Sequence, residues 1–299
     1  MQSLTEIRRI LADFELSPRK QFSQCFLIDK NLMAKVLEMA EIPPDACVLE
    51  VGPGTGSLTE ELLARAAKVV AVEIDRGLSK VLADKFGSEA QAGRFKLICS
   101  DVLASKHRIS PEVLAELGGK AHMVANLPYN IATPLVVECL LESWRACRGL
   151  SAGACMIERM TFTVQQEMAQ RLGAACGSDA YGPVSVITAL LGRVRLGASL
   201  PAAAFWPVPN VTSRIVRIDF DPAKARALAD AEVLSELLAV CFQQRRKQIG
   251  AIMRKKQDRF APGAMASAIA SAGIEPSTRP ERITPGQYLT VANLLTGVQ

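Results

Sequence analysis

The chain has 299 residues, of which 49% are hydrophobic, so it is long enough for one large domain and a smaller one. Its formal net charge of +5 is mild and fits a polyanionic partner bound through a local patch. The eight cysteines stand singly and only two histidines are present, so we expect a cytoplasmic protein with reduced thiols, no disulfide framework and no metal site.

The predicted elements follow from apolar runs and helical periods along the chain. The opening run LTEIRRILADFEL predicts a short amphipathic helix rather than a signal peptide, and no apolar run approaches the roughly 20 residues that span a bilayer. Strands are predicted, with helices between them, near 47–51, 68–74, 95–100, 121–126 and 153–158. The runs RVRLGASL and SRIVRIDF predict an antiparallel pair at the edge of the same sheet.

The pattern becomes helical beyond Asp221-Pro222. Helices separated by Pro and Gly are expected over 230–254, 261–273 and 284–296. We therefore expect an α/β domain over 1–220, built on a mostly parallel seven-stranded sheet, and a small all-helical domain over 221–299.

A glycine-rich turn, Gly52-Pro53-Gly54-Thr55-Gly56, directly follows the first predicted strand of the sheet, CVLEV. Glycines let the backbone turn tightly and approach a ligand closely. The spacing is G-x-G-x-G and not the G-x-G-x-x-G of dinucleotide sites, which argues against pyrophosphate as the ligand.

Carboxylates stand at the ends of the next two predicted strands. Glu73 can accept hydrogen bonds from both hydroxyls of a ribose, and Asp101 can accept one from an adenine amino group. Together with the glycines they predict a pocket for an adenosine without phosphates, and S-adenosylmethionine fits that description. The alternative is a set of ordinary loops with solvated carboxylates.

The tetrapeptide Asn126-Leu127-Pro128-Tyr129 follows the apolar run AHMVA, at a strand end where open α/β sheets place their ligands. The lone pair of adenine N6 is delocalised into the ring, so this nitrogen is a poor nucleophile. The side-chain oxygen of Asn126 and a backbone carbonyl at Leu127 or Pro128 could accept both N6 hydrogens and favour a tetrahedral nitrogen. Tyr129 offers a face on which a base can stack. The alternative is a plain strand-to-turn junction.

These motifs resemble those of the ribosomal RNA adenine N6,N6-dimethyltransferases, in particular the small-subunit kasugamycin-sensitivity type. The resemblance covers nearly the whole chain, through FSQCFLID, VLEVGPGTGSLTEELL, VVAVEID, ANLPYNIATPLV, VQQEMAQRL, YGPVSVI, AFWPVPNVTSRIVRI and FQQRRKQI. It implies a Rossmann-like methyltransferase domain and an RNA-facing helical domain. It also implies dimethylation of two adjacent adenosines in a hairpin near the 3′ end of the small-subunit (16S) rRNA, with S-adenosylmethionine as cofactor.

The resemblance also assigns residue roles. It implies contacts to the cofactor from Gln24, Cys25, Leu27, Gly52, Gly54, Glu73, Ile74, Asp101, Val102 and Asn126. It implies a catalytic group made of Asn126, Leu127, Pro128, Tyr129 and Phe205, with Phe205 facing the target base from the side opposite Tyr129. The alternatives are that Phe205 is a core residue and that Trp206 is the exposed ring. Two segments depart from the family pattern: Cys25 stands where relatives have Asn, and PNVTS at Pro209 to Ser213 stands where they commonly have a lysine and an acid.

The expected RNA surface is a basic run on the first C-terminal helix. Arg245, Arg246 and Lys247 could neutralise phosphates, together with Arg254, Lys255, Lys256 and Arg259, and Arg19 and Lys20 could also contact RNA. The alternative is a solvated face.

The expected partner is small-subunit rRNA or an immature small subunit, bound by a monomer. Three other functions stay open on the sequence: a ribosome assembly or transcription factor of the same fold, a large-subunit rRNA methyltransferase, and a DNA adenine methyltransferase.

Overall fold

The chain folds as two units in a computed structural model that describes residues 1–19, 22, 24–105, 108–150, 153–254, 260 and 263–297. The first unit comprises Met1–Ala169 and Arg195–Phe220, and the second comprises Gln170–Val194 and Asp221–Gln299. One division between the units falls after Phe220, and the segment Gln170–Val194 groups with the C-terminal helices. The largely apolar helix Pro183–Leu191 within this segment packs against three of the C-terminal helices, which accounts for this grouping.

Helices and strands alternate along the chain. Up to the end of the fourth strand they are α1 (Leu4–Asp13), β1 (Phe26–Leu27), α2 (Lys30–Ala40), β2 (Cys47–Val51), α3 (Ser57–Leu63), β3 (Lys68–Val72), α4 (Arg76–Lys85), α5 (Gly87–Gln91) and β4 (Phe95–Ile98). The chain continues with β5 (Leu103–Ser105), β6 (Arg108–Ile109), α6 (Pro111–Leu117), β7 (Lys120–Asn126), α7 (Ala132–Arg148), β8 (Met156–Gln165), α8 (Gln166–Leu172), α9 (Pro183–Leu191), β9 (Gly192–Leu200), β10 (Phe205–Trp206) and β11 (Ser213–Phe220). The remaining helices are α10 (Pro222–Ala227), α11 (Ala231–Phe242), α12 (Ile249–Met253), α13 (Ala264–Ser271) and α14 (Pro285–Leu295).

Seven strands form one sheet in the order β4-β3-β2-β7-β8-β11-β9. The neighbours from β4 to β8 are parallel, and β11 pairs antiparallel with β8, from Ser213 opposite Gln165 to Asp219 opposite Arg159. The predicted seven-stranded α/β fold is therefore confirmed. Strand β8 extends to Gln165 where the sequence predicted an end at 158, because its second half pairs with β11.

The centre of this sheet is apolar on both faces. Residues of β2 and β3 such as Val48, Leu49, Val69 and Val70 are fully buried. Near-continuous apolar runs of this kind are typical of parallel strands covered by helices on both sides. The sheet is thus a rigid platform, and its chemically useful groups lie where the strands end.

The N-terminal helix α1 confirms the amphipathic prediction. Ser3 and Glu6 form a capping box at its start, which satisfies backbone N–H groups that the helix leaves free. Ile7 and Leu11, one turn apart, are buried against Leu78 of α4. None of the helices in the described part of the chain is long and apolar enough to cross a membrane.

The predicted single helix over 230–254 is wrong, because α11 ends at Phe242 and α12 begins at Ile249. The backbone N–H groups of Ile249 and Gly250 donate to the carbonyl oxygens of Thr278 and Pro276, at 2.7 and 2.9 Å. These bonds fix the start of a separate helix beside residues 276–278. A Cβ at Gly250 would lie 3.0 Å from Pro276, so the close approach favours glycine.

Candidate active site

A cavity opens in the first unit at the carboxyl ends of β2, β3, β4 and β7. Its volume is about 1130 Å³ including the open mouth, which is ample for a nucleoside-sized ligand. Every residue predicted to contact a cofactor lines it: Gln24, Cys25, Leu27, Gly52, Gly54, Glu73, Ile74, Asp101, Val102 and Asn126. Leu127, Pro128 and Tyr129 line it as well. The sheet topology therefore brings together groups that are up to 105 residues apart in the chain, from Gln24 to Tyr129.

The turn after β2 depends on its glycines. Gly52 and Gly54 have positive φ angles of 69° and 61°, which other residues rarely adopt. A Cβ at Gly54 would lie 2.8 Å from the Phe26 ring, and one at Gly52 would lie 3.1 Å from Pro128. The glycines thus let the turn pass close to both the β1 segment and the turn after β7.

Glu73 is the central polar group of this cavity. Its Oε2 accepts a hydrogen bond from the backbone N–H of Gly54 at 3.1 Å, and its Oε1 accepts one from that of Asp75 at 2.9 Å. Burial raises the pKa of Glu73 to about 7, although the two N–H donors act in the opposite direction. A carboxylate keeps acceptor capacity beyond two hydrogen bonds, so Glu73 can also bind ligand hydroxyls.

A second buried acid, Glu50, lines the cavity and was missed by the sequence analysis. Its carboxyl group accepts a hydrogen bond from the Thr59 hydroxyl at 2.7 Å. Burial raises the pKa of Glu50 to about 8, and the nearby Glu73 raises it further. The signal in the sequence was an acid within the otherwise apolar strand CVLEV. Two buried acids that line one cavity favour a ligand that carries positive charge.

The segments after β3 and β4 form a wall that combines apolar side chains with one carboxylate. Val102 is buried, Ile74 is nearly half exposed, and Asp101 is exposed. Asp101 Oδ1 accepts the backbone N–H of Leu103 at 2.9 Å, which fixes the direction of the carboxylate. A flat base with an exocyclic amino group suits this wall.

The β1 segment closes another side of the cavity through its backbone as well as its side chains. The carbonyl oxygen of Cys25 accepts a hydrogen bond from Asn126 Nδ2 at 2.7 Å. Burial raises the pKa of the Cys25 thiol, so the side chain is a neutral, partly packed group. Gln24 Nε2 donates to Asp75 Oδ2 at 3.1 Å, which ties this segment to the end of β3.

The NLPY turn begins at the last residue of β7. Asn126 is held at both ends of its amide, because Nδ2 donates to Cys25 and Oδ1 accepts from the hydroxyl of Thr163. The hydroxyl groups of Tyr129 and Ser213 lie 2.7 Å apart in a hydrogen bond. Burial raises the pKa of Tyr129, so its ring is a neutral platform. Thr163 and Ser213 are supporting residues that the sequence analysis missed.

The expectation that Phe205 faces the target base is corrected by the structure. Its ring is only 1% exposed and belongs to the hydrophobic core, and it does not line the cavity. The β1–β10 pairing sets Phe205 opposite Leu27 and Trp206 opposite Phe26. Trp206 stacks on Phe26, with ring centroids 6.2 Å apart, and Phe26 is the aromatic residue of this pair that lines the cavity.

The basic run lies in the second unit, in the turn between α11 and α12 and not on a helix. Arg246 and Lys247 are exposed. Arg245 is half-buried and donates to the carbonyl oxygens of Ser178 and Asp179, at 3.3 and 2.9 Å. Lys20, Lys255, Lys256 and Arg259 lie outside the described residues. Within the described ranges, no group of three or more His, Cys, Asp or Glu side chains could hold a metal ion.

The strand order, the glycine turn after β2 and the acids after β3 and β4 define a Rossmann-like methyltransferase fold. The family model for "Ribosomal RNA adenine dimethylase" matches residues 15–297. The chain therefore belongs to the ribosomal RNA adenine dimethylase family.

Curated relatives are similar over almost their whole length. A protein of Magnetococcus marinus named "Ribosomal RNA small subunit methyltransferase A" is 36% identical over 293 residues, which cover 98% of this chain and 97% of the relative. A Streptomyces coelicolor protein of the same name is 34% identical over 289 residues, or 96% and 94% of the two chains.

Two solved structures share the fold. A dimethyladenosine transferase from Plasmodium falciparum has a TM-score of 0.69 and 20% identity, over 89% of this chain and 95% of that one. The 23S rRNA methyltransferase ErmE has a TM-score of 0.60 and 27% identity, over 91% of this chain and 99% of that one.

Proposed function

We propose that this protein transfers methyl groups from S-adenosylmethionine to N6 of two adjacent adenosines, in a hairpin near the 3′ end of small-subunit (16S) rRNA, during ribosome biogenesis. The observation that carries the proposal is the Asn126 amide, which is fixed by Thr163 and Cys25 inside the cavity that contains Glu73. Such a preorganised acceptor suits an amino group that must become tetrahedral.

The cavity fits the cofactor in shape and in charge. Glu73 would hold the ribose hydroxyls, Asp101 the adenine amino group, and Val102 and Ile74 the faces of the adenine ring. Gly54 lines the cavity and has no side chain, so a ligand can approach its backbone closely. When S-adenosylmethionine is bound, its sulfonium charge makes its methyl group electrophilic. The acids Glu50 and Glu73 are suited to that positive charge.

Asn126 orients the target amino group. Its Oδ1 accepts one N6–H, and a backbone carbonyl at Leu127 or Pro128 accepts the other, which directs the nitrogen lone pair toward the methyl donor. Because the amide is already held by two partners, it needs little reorganisation as charge develops on N6. The methylated N6 is a strong acid and releases its proton to water, so no strong general base is required.

Tyr129 captures the base after it leaves its stack. Extracting a nucleotide costs a few kcal/mol and is cheapest in a loop, where stacking is weakest. The hydrogen bond to Ser213 keeps the Tyr129 ring in place, and the ring face provides the stacking surface. Positioning of this kind lowers the activation free energy by about 7–11 kcal/mol in well-oriented reactions.

The small-subunit substrate is favoured because the curated relatives of near-equal length carry that name. ErmE, whose name refers to 23S rRNA, supports large-subunit RNA as the second candidate. An assembly factor without activity is disfavoured by the complete set of cavity groups. All of those groups come from one chain, so we propose a monomer, and the rRNA substrate implies a cytoplasmic location.

The test is to incubate the protein with labelled cofactor and, separately, unmethylated small-subunit particles, naked 16S rRNA, large-subunit rRNA and DNA. Mapping the label should find N6,N6-dimethyladenosine at two adjacent positions of the small-subunit RNA. Label confined to large-subunit rRNA or to DNA would contradict the substrate assignment, and no label on any of them would contradict the activity.

A further inference from the structure

Thr163 lies beside Asn126, on two inner strands of the sheet and at the edge where β7 ends. The register of β7 and β8 pairs these two residues directly. The Thr163 side chain is 1% exposed, between the buried apolar residues Phe162 and Val164, and its hydroxyl donates to Asn126 Oδ1. Burying a hydroxyl without a partner costs free energy, and the partner of Thr163 is the group that we assign to N6.

The two partners of Asn126 determine which way its amide faces. The Cys25 carbonyl oxygen can only accept, so it requires Nδ2 on its side. Oδ1 then faces Thr163, and a rotated amide would set two carbonyl oxygens against each other. Oδ1 has two lone pairs, and Thr163 uses one of them, which leaves the other for a ligand in the cavity.

We propose that Thr163 is a positioning residue for methyl transfer, which locks the Asn126 amide with Oδ1 ready to accept the N6–H of the target adenine. This inference rests on the proposed function. Thr163 does not touch the substrate and acts through Asn126 alone. Its loss should therefore slow the transfer step and leave RNA binding unchanged.

Thr161 provides a matched control on the same strand. It lies two residues earlier, so its side chain projects to the same face of the sheet as that of Thr163. It is 0% exposed, and its hydroxyl has no hydrogen-bond partner among the described residues. Thr161→Val and Thr163→Val thus remove the same group from similar surroundings, but only the second removes a contact to Asn126.

The experiment measures single-turnover methylation of small-subunit particles at saturating cofactor, together with RNA affinity and the melting temperature. Thr163→Val should lower the rate by up to about 100-fold, the effect of a small misplacement of a reacting group. Its RNA affinity should equal that of the wild type. Thr161→Val should match the wild type, and Thr163→Ser should restore most of the rate because it keeps the hydroxyl.

If Thr163→Val does not fold, Thr163→Ser and Thr163→Ala replace it, because these two differ only in the hydroxyl. Equal rates for Ser and Ala, a wild-type rate for Thr163→Val, or an equal loss in Thr161→Val would each overturn the inference. A failure of the proposed function is seen separately, since the wild type would then leave N6 of adenosine unlabelled, and the inference would fall with it.

Discussion

The backbone N–H of Gly54 donates a hydrogen bond to Oε2 of Glu73 over 3.1 Å. This contact joins the glycine turn after β2 to the residue that follows β3. The same carboxylate that would bind the ribose therefore also shapes the turn beside it. Residues 19 positions apart in the chain are thus joined in one wall of the cavity.

Replacing Glu73 with alanine should weaken binding of S-adenosylmethionine by about 1–3 kcal/mol, the usual loss for a charge-assisted hydrogen-bond partner. Titration calorimetry on the folded wild type and variant measures it. Glu73→Gln is the control for shape, because it keeps the side-chain volume and loses the charge. An unchanged affinity in Glu73→Ala would remove this residue from the site.

The buried acid Glu50 should make stability depend on pH. Because its pKa is raised from 4.5 to about 8, the native state holds the proton more tightly than the unfolded chain between these values. This acid is therefore neutral at low pH, and its contribution to the free energy of unfolding falls as pH rises through that window. Glu73, whose pKa burial raises to about 7, loses its proton in the same window and in the same direction, so only a comparison of variants isolates Glu50.

The comparison is urea unfolding of wild type and Glu50→Gln from about pH 5 to about pH 8. The stability of Glu50→Gln relative to wild type should improve as pH rises, because glutamine carries no proton to lose. If the stability of Glu50→Gln relative to wild type stays constant or declines as pH rises, the pKa of Glu50 is not raised in the folded state.

The exposed residues Arg246 and Lys247 should contribute to RNA binding more than Arg245 does. The double variant Arg246→Ala/Lys247→Ala should bind RNA more weakly. The slope of log affinity against log salt concentration should also become shallower, by about one per lost phosphate contact. Arg245→Ala should alter the slope less, because its guanidinium already donates to two carbonyl oxygens. Affinities measured over a range of salt concentrations decide it. A wild-type slope in the double variant would make this turn a solvated surface.

Tyr129 should act through its face and not through its hydroxyl. Tyr129→Ala should raise the KM for RNA, by a factor that corresponds to the loss of about 1–3 kcal/mol of stacking free energy. Tyr129→Phe should be mild, since it loses only the hydrogen bond to Ser213. Steady-state kinetics on particles separates the two variants. Equal defects in both would show that the hydroxyl matters and that stacking does not.

Much of the sheet and the site could be predicted from local patterns. The buried run CVLEV gave β2 with its observed bounds, and the residues at strand ends gave Glu73, Asp101 and Asn126, because parallel strands end at one edge. Side chains whose roles depend on register could not be found in this way. Thr163 lies on β8 and Ser213 lies on β11, and only the pairing of β8 with β7 and of β11 with β8 brings them to the NLPY turn.

Two predictions failed because tertiary contacts overrode local patterns. In the pair Phe205-Trp206 the pairing of β10 with β1 decides which ring enters the core, and the sequence does not contain that register. The helix over 230–254 is broken because Ile249 and Gly250 bond to the distant carbonyl groups of Pro276 and Thr278.

The most direct test of the proposed chemistry is the single-turnover rate of Asn126→Ala at saturating cofactor and RNA. Its acceptor is most useful when N6 becomes tetrahedral and positive, so the interaction belongs mainly to the transition state. We predict a rate lower by about 100- to 1000-fold, the usual loss for one preorganised polar partner, with much smaller changes in RNA and cofactor affinity. A near wild-type rate of adenosine N6 methylation by Asn126→Ala would contradict the account, because N6 would then not be held at this amide.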